Sequence, residues 1–430
     1  MFSPDVDDGA PYPVVSEAAH TVRFRVVSTP VNDLDLPELD LLAIADRSQM
    51  IGVLDDARSQ HWLARTPLGY AITRYEEGGA FLRDRRFHSA VRLIGQGQID
   101  DPRWNQPNRP ESILSAEGDT HARLRRLVAS AFSPKAADRL RPVMRDVVSS
   151  LISPVGGTGR TELMADVCEP YPIPIMCELL GAPKEDWKLF SQWAPDMLRV
   201  FNNNLAADID IIISARDNIR AYVIELVERR RRDPQDDLLT ALIAAEEAGD
   251  RLSNEELVMM VEAVIVGGTD TTRNQLGCSV ALLAQHPDQW AMLAERPELA
   301  NNAVEETMRF LGAVRGSGRF APEDLEFNGV MFPQGTLILP SFIGANFDPE
   351  AFPDPKRFDI TRPPGNVHAT FGAGIHYCLG ASLARAELQE ALPLLARAMP
   401  GLAIDGEVTW KPASFGVWGP ERVPLTFTPT

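Results

Sequence analysis

Basic charge is what this 430-residue chain most lacks: 60 Asp and Glu against 42 Lys and Arg give a formal net charge of −18. Nucleic acids and anionic membranes both need a basic face, so neither is an expected partner. The run from Arg229 to Arg232 is a local exception and reads as a solvated helix end. Cysteine is scarce too. The 4 present, Cys168, Cys177, Cys278 and Cys378, form no C-x-x-C pair. That argues against a disulfide framework, a zinc ribbon, a thioredoxin-like site and covalent c-type haem attachment. No stretch approaches the ~18 consecutive apolar residues of a membrane span. The opening MFSPDVDDGAPYPVV has neither the basic nor the apolar region of a signal peptide. These absences predict a soluble, cytoplasmic protein with reduced thiols, whose residues 1–30 form a weakly ordered arm.

Apolar residues supply 44% of the chain and charged residues 24%, enough for one large core. From about residue 120 to 310 the apolar positions recur with a helical period. Residues 88–112, with DDPRWNQPNRPE, are too polar and Pro-rich for a helix, and loops that long are often functional. The clearest helix starts at LSNEEL, where Ser253 and Glu256 have the spacing of a capping box. Apolar and small residues then continue to His286, and Pro287 ends the run. A helix of roughly 32 residues would be nearly 50 Å long and must cross the middle of the molecule. After Arg309 the texture changes to short strands with Gly and Pro turns. The expected fold is mainly α with small β-sheets supplied by the two ends of the chain.

Chemistry concentrates in FGAGIHYCLGASLARAEL, residues 371–388. A good helical pattern follows Cys378, which places the thiol at a helix N-terminus, where the macrodipole and free N–H groups favour thiolate. Gly372, Gly374 and Gly380 leave backbone that something large and flat can approach. On pattern alone, an axial iron ligand and an inert core cysteine both remain open. A second anomaly is GGTDTT, residues 267–272, in the long helix. Each buried helical glycine costs about 1 kcal/mol, and Asp270 is a carboxylate in an apolar stretch. Such local rule-breaking marks function, although a kink with Thr271 and Thr272 bonded back to carbonyls is the plainer alternative. Glu306 and Arg309 lie three apart on a helix and can pair.

The string from Phe371 to Gly380 resembles the haem-binding signature of the cytochrome P-450 family, F-x-x-G-x-x-x-C-x-G, with every fixed position present. The other motifs match in the family's order across residues 120–380. The resemblance implies a single catalytic domain over 31–430, with haem b between the long central helix and the cysteine loop and helix. It makes Cys378 the iron ligand, whose thiolate pushes electron density toward O–O cleavage. It assigns Gly267 and Gly268 to the space for dioxygen, and Asp270 and Thr271 to proton delivery. Glu306 and Arg309 become the buried E-x-x-R pair below the haem. His121, Arg125, Arg319 and His376 match positions that hold the propionates, while Arg123 and Arg126 face a redox partner.

The implied reaction is a monooxygenation. One atom of dioxygen enters a small apolar substrate as a hydroxyl or an epoxide. The electrons pass from NAD(P)H through a separate ferredoxin reductase and ferredoxin to what is expected to be a monomer. Pocket walls are expected from Leu93, Ile94, Phe201, Val264, Arg315, Val417 and Trp418, a mostly apolar set. An inward Arg315 would hold a substrate carboxylate; otherwise it serves a propionate or solvent. Phe347 stands where the family commonly has Arg, and Ala373 replaces a bulkier residue. Two other classes compete: a haem-thiolate protein that only binds ligand or senses gas, and a haem-free helical binding protein. The intact acid–alcohol pair of Asp270 and Thr271 speaks against the first.

Overall fold

The computed structural model describes residues 28–429 apart from 45, 97–98, 106–109, 202–204, 248–251 and 413–415. Most of the expected N-terminal arm, residues 1–27, lies outside the described residues. Its last part, Thr29–Pro30, is not loose: it pairs in parallel with Val330–Phe332.

The central helix runs Asn254–Leu283. The capping box is present, with Ser253 Oγ accepting from Glu256 N at 3.2 Å and Glu256 Oε2 accepting from Ser253 N at 2.8 Å. The helix stops three residues before His286, which caps the following Pro287–Glu295 helix with proline in its first turn. Buried positions occur on every side of the central helix, as expected of one that crosses a core. It packs against Pro172–Leu180, Trp187–Leu198, Leu205–Arg232, Ala300–Phe310 and Ala381–Ala398.

The sheets are small. The largest has five strands in the order Leu63–Thr66, Gly69–Ile72, Leu337–Pro340, Arg319–Phe320 and His88–Ser89. A three-stranded sheet joins Arg160–Glu162 to Pro424–Thr426 and Ala403–Ile404. Both ends of the chain therefore contribute strands, as the sequence texture implied. No helix among the described residues is long and apolar enough to cross a membrane.

Candidate active site

The ligand loop is shaped by its own backbone. Gly372 and Gly374 have φ of +70° and +72°, a region that disfavours other residues. Cys378 N donates to Phe371 O at 2.9 Å, closing the loop one turn before the Ala381–Ala398 helix. Cys378 is half-buried. Its thiol is not depressed as the helix-end position implied. Burial raises it above the ordinary thiol value, and the backbone N–H of Gly380 with Arg125 and Arg385 offsets this only in part. Without a metal cation, desolvation outweighs the helix end. The other three cysteines are buried, and burial pushes Cys177 and Cys278 up to about 12. They are inert core thiols.

The glycines divide. A Cβ on Gly380 or Gly267 would meet nothing within 4 Å, so both leave open space. On Gly374 it would fall 2.0 Å from Leu82 O. That glycine lets the loop pack on its own chain and makes no bed for a cofactor. Gly268 also corrects the expectation, since its Cβ would lie 2.5 Å from Met176 Sδ. It makes room for a core side chain, and Gly267 alone opens the helix. Gly267 is exposed although buried residues flank it at Ile265 and Thr269.

Around that opening the helix carries its polar groups. Thr271 Oγ1 donates to Gly267 O at 2.8 Å, the back-bonded arrangement. Asp270 is 3% exposed and ion-paired with Arg273, while Lys411 Nζ approaches its other oxygen at 3.5 Å. Arg273 continues outward to Glu169 at 3.4 Å. Thr272 turns the other way and donates to Glu387 Oε2 at 3.0 Å, joining the central helix to the ligand helix. Burial raises the Glu387 carboxyl to about 8. Sequence reasoning passed over Arg273, Glu387 and Lys411. Lys411 leaves no local signal, because only the fold brings it to Asp270.

The four expected cationic groups converge. His121 and His376 lie 4.6 Å apart between ring centroids, and His376 Nε2 is 3.1 Å from Glu117 Oε1. Glu117 also accepts from Ser89 N at 2.6 Å, and Ser89 pairs with Arg319 in the five-stranded sheet. Burial opposes ionisation of Glu117, but His376 and Ser89 more than offset it and hold the carboxyl below its ordinary value. Burial, helped by His376 and Arg125, lowers His121 to about 4. Arg319 is 6% exposed; it and Arg125 donate to backbone or hydroxyl oxygens. Neither has a carboxylate within ion-pair distance among the described residues. Two half-to-fully buried guanidiniums without a direct carboxylate partner suit an anion with two acidic groups. Arg123, by contrast, is tied to Glu256 at 3.2 Å.

Below the ligand loop, Arg309 forms a two-pronged pair with Glu306, both bonds 2.8 Å, each side chain 3% exposed. Arg362 Nε adds 3.1 and 3.2 Å contacts to the same carboxylate.

A cytochrome P450 family description matches residues 175–398. Nocardicin C N-oxygenase of Nocardia uniformis subsp. tsuyamanensis is 36% identical over 373 residues, 84% of this chain and 91% of the relative. Mycinamicin IV hydroxylase/epoxidase of Micromonospora griseorubida is 35% identical over 372 residues, again 84% and 91%. The crystal structure of CalO2 superposes with a TM-score of 0.85 at 29% identity, covering 92% of this chain and 100% of that one.

The chain belongs to the cytochrome P-450 family. It is a haem-thiolate monooxygenase with a separate redox partner and a small-molecule substrate. The residues present fit a P-450 haem: open backbone at Gly267 and Gly380, a half-buried thiol, and the unpaired guanidiniums of Arg125 and Arg319 for two propionates. Phe371, 9% exposed, lies against Tyr377 and under the Arg385 guanidinium.

The expected pocket residues come from several separate elements of the fold. Val417 bridges to Val314, Trp418 N donates to Ala313 O at 2.8 Å, and Phe201 borders Gly416. Val314 and Val417 share one side of that bridge, and Arg315 stacks on Trp418 on the other. Val264 is buried in the main core one turn before Gly268. Leu93 ends a short turn at Ala90–Leu93, and Ile94 packs with Leu205 and Ile212 in a separate small cluster. A larger groove, about 740 Å³, lies outside the ligand loop against Tyr75, Phe342, Gly372 and Tyr377. It reaches neither Cys378 nor Gly267 and is not the reaction chamber.

Proposed function

We propose that this P-450 hydroxylates or epoxidises a small, mostly apolar organic substrate, as a cytoplasmic monomer of one catalytic domain fed by a ferredoxin and its reductase. Haem held by Cys378 supplies the iron at which dioxygen is activated. His121, Arg125, Arg319 and His376 hold its propionates, and Glu306 with Arg309 braces the loop beneath. The observation that carries the reading is the opening at Gly267 in an otherwise buried helix, with Asp270 and Thr271 one turn away.

Asp270 is sealed from bulk water but linked through Arg273 to Glu169 near the surface, a route by which protons reach the interior. Thr271 Oγ1 donates to a carbonyl of its own helix, and rotation would present its proton to the space beside Gly267. The acidic surface is no obstacle to a ferredoxin, because docking needs only a local basic patch near the ligand loop. Purified protein supplied with a ferredoxin, its reductase and NADPH should convert an apolar probe to a product one oxygen heavier, in step with electrons consumed. Electron consumption without any oxygenated product across a broad probe set would refute it. The class names of the relatives, N-oxygenase and hydroxylase/epoxidase, support the same range of outcomes.

A further inference from the structure

The antiparallel strands Thr409–Trp410 and Pro420–Arg422 dock on the central helix. Just beyond the first strand, Lys411 N donates to Gly419 O at 3.0 Å. Lys411 O accepts from Trp418 Nε1 at 2.9 Å, and the Trp418 ring stacks on Trp410 at 4.5 Å with a 5° tilt. Both backbone polar groups of Lys411 are therefore held. Gly419 seats the strand pair, since a Cβ there would fall 2.6 Å from Asn274 Oδ1. Asn274 lies one turn beyond Asp270, and its Nδ2 donates to Asp270 O at 2.6 Å. From this anchorage the Lys411 side chain reaches Asp270, with Nζ 3.5 Å from Oδ2.

Asp270 thus has two cationic neighbours of different chemistry. Arg273 faces Oδ1 and leads on to Glu169 at 3.4 Å. A guanidinium does not give up its proton in a protein, so a proton on that arm has to pass around Arg273. An ammonium group can release one. The Lys411 side chain is 25% exposed against 3% for Asp270, and Asp270 is the only carboxylate within ion-pair distance of it among the described residues. The amine therefore links a sealed carboxylate to accessible space. The charged and titratable groups that face it are Asp270, Arg273 and Cys278. Burial lowers the amine below the ordinary lysine value; Asp270 resists this more than Cys278 does, and Arg273 adds to it. A lysine shifted in that direction is a readier proton donor near neutral pH.

We propose that Lys411 resupplies Asp270 with protons, taking them from water at its accessible side and passing them to the carboxylate, which hands them on toward Thr271 and the space beside Gly267. This rests on the monooxygenase reading above. Each transfer breaks one N–H bond and forms one O–H bond, and the neutral amine then takes a proton from water, so no electron or further reactant is consumed. The test compares haem-loaded wild type with Lys411→Arg, which keeps the charge but cannot release a proton. Both are supplied with ferredoxin, reductase, NADPH and an apolar probe that the wild type oxygenates. Lys411→Arg should keep the substrate-induced spin shift yet form product about tenfold more slowly or worse at neutral pH. The donor is lost as pH rises through the pKa of the amine, so the wild-type advantage should shrink across that pH range. A purely structural role would leave the ratio of the two rates constant. The midpoint itself is read without turnover, from the pH dependence of Lys411 acylation by acetic anhydride, followed by peptide mass spectrometry. Asp270→Asn should lower that midpoint, because the carboxylate that holds the proton on the amine is gone. Equal rates for wild type and Lys411→Arg, a rate ratio that does not change with pH, or an acylation midpoint indifferent to Asp270→Asn would overturn the relay. Equal rates while Asp270→Asn remains slow remove Lys411 alone, whereas a wild type that yields no oxygenated product removes the monooxygenase reading beneath it.

Discussion

Replacing Arg309 by lysine keeps the charge and should still be severe. Arg309 makes five contacts: two with Glu306, one each from Nη1 to Asn346 O and Pro355 O at 2.9 Å, and one from Nη2 to Arg357 O at 3.3 Å. A lysine ammonium has three donors at a single point and cannot span that arc. It can satisfy the carboxylate and one carbonyl at most; Arg357 O keeps Arg362 Nη2 as a donor at 2.6 Å, so at least one of Asn346 O and Pro355 O is left short. Each unsatisfied buried acceptor costs ~1–3 kcal/mol, so a loss of about 1–3 kcal/mol is expected. Set against a typical total of ~5–15 kcal/mol, that is a large fraction. Arg309→Ala should be no milder, although Arg362 still neutralises Glu306 and still donates to Arg357 O, because Asn346 O and Pro355 O then both lose their donor. Urea unfolding followed by circular dichroism, with Soret absorbance read on the same samples, measures both fold and haem retention. An Arg309→Lys midpoint within about 0.5 kcal/mol of wild type would refute the reasoning, since it would mean the carbonyl contacts contribute nothing.

Three other outcomes follow from the site. Asp270→Asn keeps the shape of a buried side chain but removes its capacity to take up and release a proton. Turnover should fall by roughly 10²–10⁴ while the substrate-induced spin shift survives, and unchanged product formation per electron would contradict the assigned role. Gly267→Ala should stabilise the fold by up to about 1 kcal/mol yet obstruct the space beside the helix and lower turnover. Gly268→Ala should instead destabilise by pressing on Met176; identical behaviour of the two would show that the division between them is wrong. Glu387 holds a proton in the folded chain up to about 8, whereas an ordinary glutamate releases it near 4.5. The folded state therefore binds the extra proton between those values, and stability falls as pH rises through that window. Glu387→Gln should flatten that part of the pH profile of the urea midpoint, and a profile with the same slope would rule out Glu387 as its cause.

Local signals carried much of this molecule. The capping box at Ser253 and Glu256 announced the start of the central helix to the residue, and the spacing of Glu306 and Arg309 announced their pair. Phe371, Cys378 and Gly380 were legible because a fixed string surrounds them. What could not be read depends on distant parts of the chain. Gly268 and Gly267 look alike in sequence and differ only because Met176 arrives beside one of them. Lys411 approaches Asp270 from just beyond the Thr409–Trp410 strand, some 140 residues downstream, a proximity that no periodicity encodes. The burial that raises the Cys378 thiol in the absence of a cation is likewise set by packing that its helix-end position does not reveal. Glu117 stands four residues before His121, a spacing that could have nominated it as a partner for the histidine pair.

If Cys378 holds the haem iron as thiolate, the reduced carbon-monoxide spectrum reads that bond directly. The wild-type protein, and variants with serine at Cys168, Cys177 or Cys278, should show the long-wavelength Soret band of thiolate-ligated haem. Cys378→His should lose that band, shift to the shorter wavelength of imidazole ligation, and form no oxygenated product. A Cys378→His protein that keeps the thiolate band, or a serine variant at one of the other three cysteines that loses it, would contradict the account.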